Sequence, residues 1–284
     1  MKLYDRQFAN TSIDKKINNI KGESLEKRFV DILSDPSNLV IDRCDNAGCL
    51  LGDNVVMHNN LLVSKYGYYQ DFSKILQLNK GVHEPAEERM FGEVLKYIPN
   101  RGTMIELGSY WAFYAMWFFK KIPEANVYCI EPDAKRMKVG IDNCYINGVR
   151  ADFTQARIGK SPVHKKSEEI DLEQFLKNKN INSLDILHCD IQGNELFLLK
   201  RISNILKEKR IKYLFISTHY QNTHYECINT LKENGYRIIA SADVDNETFC
   251  YDGIIVSCQE ENKDIPYTSL GNRKHTPLRN KCLV

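Results

Sequence analysis

The stretch from Thr103 to Pro132, TMIELGSYWAFYAMWFFKKIPEANVYCIEP, constrains the chain more than any other. An apolar run carrying Glu106 gives way to Gly108, a mostly apolar and aromatic segment follows, and a second apolar run ends on Glu131. This is the pattern strand, tight turn, buried helix, strand, and it predicts a parallel sheet with helical crossovers. In such sheets ligands lie beyond the carboxyl ends of the strands. A glycine there lets backbone approach a ligand closely, and an acid ending the next strand can hold ribose hydroxyls. The stretch therefore predicts a nucleoside-cofactor site contacted by Glu106, Gly108, Ser109 and Glu131.

The glycine count narrows the cofactor. A dinucleotide site needs G-x-G-x-x-G so that pyrophosphate can rest on a helix N-terminus. Here the loop is Glu106-Leu-Gly108-Ser-Tyr-Trp-Ala112, with one glycine and two bulky aromatics where bare backbone is required. No phosphate-binding G-x-x-x-x-G-K-[ST] loop stands in for it. A cofactor with a ribose and an amino-acid tail but no phosphates fits better, which points to S-adenosylmethionine.

Downstream, strand and helix patterns alternate. Strands are expected at 103–107, 126–131, 151–158, 184–190 and 211–218, and helices at 111–121, 133–146, 171–178, 194–207 and 222–234. Two closely spaced strands, 236–241 and 250–258, end the series. The fold class is α/β, a three-layer sandwich on a mostly parallel sheet. The expected organisation is an N-terminal helix with a small β-element over 1–80, the main domain over 81–258 and a polar tail over 259–284. Within 1–80, the segment 13–33 reads as an amphipathic helix ended by Pro36. The pieces NLVIDR, NVVMHNNLLVSKY and GYYQDFSKIL read as β-rich, with Asn59-Asn60 as a turn.

Helix-start signals gather at GVHEPAEERMF, with Pro85 in the first turn and acids at Glu84, Glu87 and Glu88. Those acids either complement the helix dipole, or His83 and Glu84 line the cofactor or acceptor pocket.

Three polar groups land at the carboxyl edge of the sheet. Asp190 closes LDILHCD, Glu195 opens the next helix, and His219 closes YLFISTH. Methyl transfer to oxygen needs an aligned hydroxyl and a group to take or polarise its proton. His219 is the expected base. Asp190 can orient that histidine, take the proton itself, or bind a divalent cation such as Mg2+ with Glu195. Alternatively Gly193 and Glu195 only shape a helix-start turn. His188, between apolar neighbours, is expected in the core, His224 on the following helix, and Asp252 at the margin of the acceptor pocket.

The set MIELGSYWAFYAMWFF, CIEPDAKRMKVGIDNCYINGV, IDLEQFL and LDILHCDIQGNELFLL resembles the FkbM-type methyltransferases over roughly residues 80–258. The resemblance implies a class I S-adenosylmethionine-dependent enzyme whose seven-stranded sheet has its last strand antiparallel. It also implies O-methylation of a sugar hydroxyl in a glycan precursor, or of a secondary metabolite. Ala112 departs from the family's pattern, standing where a glycine commonly closes the first loop. A non-catalytic binding or assembly module on the same fold is the competing reading.

Bulk properties agree. With 39 basic and 37 acidic residues the net charge is +2, which offers no field to recruit nucleic acid or anionic lipid. The start lacks the apolar core of a signal peptide, and the longest apolar run is too short to span a bilayer. The nine cysteines are scattered, with Cys129 and Cys189 inside strand runs, as expected of reduced cytoplasmic thiols.

Overall fold

The computed structural model describes residues 25–67, 73–158 and 167–276. The chain packs as two compact units. The larger comprises Met90–Asp245 and Asp252–Ser269; the smaller comprises the residues up to Arg89, Asn246–Tyr251, and those from Leu270 on.

In the smaller unit, helix α1 (Leu25–Ser34) runs to a 3-10 turn at Pro36–Leu39, where Asp35 caps the Ser37 amide. Strands β1 (Leu50–Leu51), β2 (Asn54–Val56) and β3 (Leu62–Ser64) form an antiparallel sheet in that order. Asn60 makes the β2–β3 turn at φ 70°, a value Asn tolerates. Lys74–Leu78 is helix α2 rather than the end of a β-rich piece, because Ile75 and Leu76 are buried together as adjacent helical residues. The N-terminal part of the expected amphipathic helix, and Tyr68 to Phe72, lie outside the described residues. Helix α3 (Pro85–Leu95) then crosses from one unit into the other.

The larger unit is the predicted α/β sandwich. Its strands are β4 (Thr103–Leu107), β5 (Asn126–Ile130), β6 (Asp152–Thr154), β9 (Leu184–Cys189), β10 (Ile211–Thr218), β11 (Tyr236–Ala242) and β12 (Gly253–Gln259), in the spatial order β11-β12-β10-β9-β4-β5-β6. All neighbours are parallel except β12, which runs antiparallel to both β10 and β11. The terminal strand pair is thus real, with the last strand reversed. The strand expected at 151–158 divides in two. Its first half closes the sheet edge as β6. Its second half, β7 (Ala156–Arg157), turns away to pair with β8 (Glu168–Glu169).

Helices α4 (Phe113–Lys121), α5 (Ala134–Ile146), α6 (Leu172–Asn178), α7 (Glu195–Arg201), α8 (Ser203–Lys207) and α9 (Gln221–Glu233) fill the crossovers. The helix expected at 194–207 is interrupted at Ile202. The core is apolar throughout: Leu107, Ile130, Leu187, Leu214, Ile216 and Ile255 are fully or almost fully buried between the layers. His188 is a core residue, as expected, with its ring centroid 4.4 Å from that of Tyr114. Cys129 and Cys189 are buried free thiols.

Candidate functional site

Strand β4 ends in a loop with unusual backbone. Gly108, Tyr110 and Ala112 all have positive φ, at 74°, 40° and 59°. Gly108 is obligatory, though not only for a ligand's sake: a Cβ there would stand 1.7 Å from the Asp190 carbonyl oxygen. The close approach joins the ends of β4 and β9, bringing the β4–α4 loop against the first residue of D-x-x-G-x-E. Ser109 is buried beside it. Ala112 sits at the N-cap of α4 in the left-handed region and offers no capping side chain. Glu106 supplies what is missing, because its buried Oε2 accepts the Ala115 amide at 2.9 Å. The acid of the first strand therefore anchors the start of the helix.

Glu131 follows β5 and is almost fully buried. Its two oxygens accept the Tyr110 amide at 3.0 Å and the Asp133 amide at 2.9 Å. Burial raises its pKa, and those amides pull in the opposite direction. A carboxylate oxygen has lone pairs beyond the one each amide uses, so Glu131 can also accept hydroxyl hydrogens. The loop and this acid fit a ribose-bearing cofactor.

The second half of the site is built on β9, β10 and β12. Asp190 directly follows β9 and His219 directly follows β10, its parallel neighbour. Asp252 precedes β12, which is paired to the other side of β10. The D-x-x-G-x-E turn has its own physics. Gln192 and Gly193 both have positive φ, and a Cβ on Gly193 would meet the Tyr220 ring at 2.9 Å. Glu195 Oε1 accepts the Gly193 amide at 3.0 Å and the Ile191 amide at 3.3 Å, taking over the cap that Asn194 does not provide. The helix-start reading of Glu195 therefore holds, but it is half of the story.

The same Glu195 oxygen lies 3.1 Å from His219 Nδ1. On the other side of the ring, Nε2 lies 3.3 Å from Asp190 Oδ1 and 3.6 Å from Asp252 Oδ1. The edge thus gathers all four residues. Burial alone would lower the His219 pKa, but Asp190, Asp252 and Glu195 outweigh it and push it up to about 11. Burial disfavours the Asp190 charge, but the facing His219 wins and lowers its pKa. An imidazolium has no lone pair for an incoming proton, so in this arrangement His219 is not the free base that its strand-end position suggests. Asp190 keeps an unused group: Oδ1 takes the Gln192 amide at 3.0 Å and faces His219, while Oδ2 has no hydrogen-bond partner among the described residues.

His83 and Glu84 have a different setting. They belong to the smaller unit, where His83 Nε2 lies 3.0 Å from Glu84 Oε2 and His83 Nδ1 2.6 Å from Glu88 Oε1. Glu88 also accepts the His83 and Glu84 amides, and its Oε2 lies 2.9 Å from His58 Nε2. Sequence reasoning missed Glu88 as the centre of this cluster. His58 and His83 are 25 positions apart with no shared motif, so nothing local signals their meeting. His224 is on α9 as expected and is buried, with Nδ1 2.8 Å from Thr218 Oγ1 and Nε2 3.0 Å from Ser241 Oγ. Burial drives its pKa down to about 4, so it is a neutral hydrogen-bonding residue.

No helix among the described residues is long and apolar enough to cross a membrane.

Comparison with solved structures finds partial likenesses to methyltransferases. Precorrin-6y C5,15-methyltransferase from Geobacter metallireducens GS-15 is 11% identical with a TM-score of 0.41, over 60% of this chain and 87% of that one. TrmK of M. capricolum, solved with S-adenosylhomocysteine, is 16% identical with a TM-score of 0.39, over 63% of this chain and 69% of that one. The METTL16 methyltransferase domain is 13% identical with a TM-score of 0.45, over 63% and 69%. No curated protein matches the chain. The model of the Methyltransferase FkbM domain matches residues 93–238, just over half of the chain. That span runs from within α3 through β4 and the D-x-x-G-x-E turn into β11. The chain belongs to the FkbM methyltransferase domain family and is an S-adenosylmethionine-dependent methyltransferase.

Proposed function

We propose that the chain methylates a hydroxyl oxygen of a small acceptor, a sugar or glycan precursor or a secondary metabolite, and takes no nucleic acid. The observation that supports oxygen as the target is the polar end at β9 and β10. There the Asp190 carboxylate is a third exposed and held in place by His219, itself backed by the fully buried Glu195. A hydroxyl is a weak nucleophile and must be aligned and relieved of its proton as the new bond forms. Asp190 Oδ2 is assigned that proton. His219 fixes the carboxylate's orientation, and Glu195 fixes His219.

S-adenosylmethionine, when bound, supplies an electrophilic methyl group on a sulfonium. Gly108, Ser109 and Glu131 hold it, with Glu106 keeping the loop and α4 in register. The acceptor oxygen would take that methyl group, with the cofactor's sulfide as the leaving group, and Asp190 would take the hydroxyl proton. The five buried thiols, Cys129, Cys144, Cys189, Cys227 and Cys258, suit a reducing compartment, and the cytoplasm is the proposed location.

Titration calorimetry with S-adenosylhomocysteine, followed by methyl transfer to a panel of sugars, sugar nucleotides and amines, tests the reading. Cofactor binding with turnover on hydroxyl acceptors is expected. Turnover confined to amines would overturn the oxygen assignment, and absence of cofactor binding would favour the non-catalytic alternative.

A further inference from the structure

Among the described residues, one group of three or more His, Cys, Asp or Glu side chains could jointly hold a metal ion: Asp190, Glu195 and His219. Each offers a ligand atom, and these atoms lie within 4.8 Å of one another. Around an ion with bonds of about 2.1 Å, neighbouring ligands stand about 3 Å apart and opposite ones about 4.2 Å apart. Each carboxylate stands about one such edge from the imidazole, Glu195 Oε1 3.1 Å from Nδ1 and Asp190 Oδ1 3.3 Å from Nε2, and an ion would take one of the two ring nitrogens in place of its proton.

Two further observations point to a missing cation. Glu195 is fully buried, yet its Oε2 makes no hydrogen bond, and neither ring nitrogen of His219 makes one of regular geometry despite the short distances. A buried polar atom without a partner costs about 1–3 kcal/mol, and more when charged. Charge does not balance either. Asp190 and Glu195 face a single imidazole, so a negative excess remains whatever that ring's state. A cation is what such a cluster lacks.

We propose that Asp190, Glu195 and His219 form a binding site for one first-row divalent cation, of the Mn2+ class rather than Mg2+. The choice of ion follows from the imidazole. Mg2+ favours oxygen ligands in strict octahedral geometry, whereas one nitrogen with two carboxylates suits Mn2+, Fe2+ or Zn2+. The proposal deepens the reading of this strand edge as the acceptor end of the site and rests on it. An acceptor hydroxyl joining the ion has its own pKa lowered, which eases transfer of its proton to the Asp190 oxygen that the ion leaves unused.

The test uses the full chain, stripped with chelator and titrated with Mn2+ while free ion is followed by electron paramagnetic resonance. S-adenosylhomocysteine binding is measured by calorimetry on the same preparation. About one Mn2+ per chain is expected, with affinity reduced about tenfold or more in Asp190→Asn and in His219→Gln. Mg2+ should compete only in large excess. Thermal melts on both variants separate lost ligation from lost fold. If cofactor binds and Mn2+ does not bind at millimolar concentration, or binds both variants as well as the parent, the metal site is wrong and the methyltransferase reading stands. If Mn2+ binds as expected and cofactor does not, the site stands and the functional reading falls. Equal competition by Mg2+ would overturn the assigned class of ion.

Discussion

Each unit of the molecule sets histidine against glutamate in a buried cluster, and the two clusters are built to opposite specifications. In the smaller unit Glu88 and its partners His58 and His83 are almost completely removed from solvent. Two carboxylates, Glu88 and Glu84, meet two imidazoles, and Glu88 Oε1 is further engaged by two backbone amides. Carboxylates and imidazoles are matched in number. In the larger unit three carboxylates meet one imidazole, and two of them are partly open, with side-chain exposures of 34% for Asp190 and 19% for Asp252. The first arrangement is shut away from solvent. The second leaves two carboxylates open to a ligand, the difference expected between a cluster that holds a fold and one proposed to do chemistry.

The sharpest way to break the comparison is to neutralise one carboxylate in each. Asp190→Asn should lower the methyl-transfer rate by about 10²–10⁴-fold, the usual worth of a positioned proton acceptor. Stability should stay within about 1 kcal/mol of the parent, since removing one of three like charges leaves His219 still faced by two. Kinetics with a responsive acceptor, beside denaturant unfolding, give both numbers. A variant that keeps full activity would show that Asp190 is not the proton acceptor.

Glu88→Gln should do the reverse. It leaves His83 buried without the closer of its two carboxylates and His58 without its partner, and breaking one side of a buried pair costs about 3–5 kcal/mol. Denaturant unfolding measures the loss directly. A cost under about 1 kcal/mol would mean that the smaller unit's cluster carries little of its stability.

The same cluster sets a pH window. Burial opposes the charge on His83, but Glu84 and Glu88 prevail and raise its pKa from 6.5 to about 10. Its contribution is therefore full below pH 6.5 and lost as pH climbs through about 10. Burial would raise the pKa of Glu88, but His83 and His58 pull it well below 4.5, so its contribution is present above that value and lost as pH falls. Arg43, close enough to feel the Glu88 charge, and Cys250, whose thiol reaches the His83 carbonyl and feels Asp35 and Glu87 as well, belong to the ionisable surroundings. Stability should peak between 4.5 and 6.5 and decline on both sides. Unfolding midpoints across pH check the curve, and Glu88→Gln should flatten its alkaline limb.

How far these sites are legible in the sequence follows from how local their causes are. The sheet is legible because strand and helix periods alternate along continuous stretches, and Asp190 and His219 because each directly follows a strand. The role of Gly108 is only half legible, since the close contact that requires it comes from the Asp190 carbonyl, 82 positions on. Glu106 looks like a cofactor ligand in its motif, but the capping demand of α4 claims one of its oxygens. The Glu88 cluster is invisible, because its histidines come from segments with no shared pattern. The upward pull on the His219 pKa is only partly legible for a related reason: beside Asp190 and Glu195 it comes from Asp252, which precedes the strand that doubles back into the sheet.

The smallest predicted effect concerns the loop beside the open cluster, where strain accompanies unbalanced charge. Ala112 is buried with φ 59°, a conformation that costs an alanine about 1–2 kcal/mol and a glycine almost nothing. Glycine also gains freedom in the unfolded chain, which returns about 0.4–1 kcal/mol. Ala112→Gly should therefore stabilise the protein by about 0.5 kcal/mol, visible as a modest rise in melting temperature. Because Glu106 already anchors the start of α4 through the Ala115 amide, affinity for S-adenosylhomocysteine should stay as it is. Tighter cofactor binding in that variant would mean instead that the strain opposes the bound geometry, and that the loop in this chain is held away from its best fit.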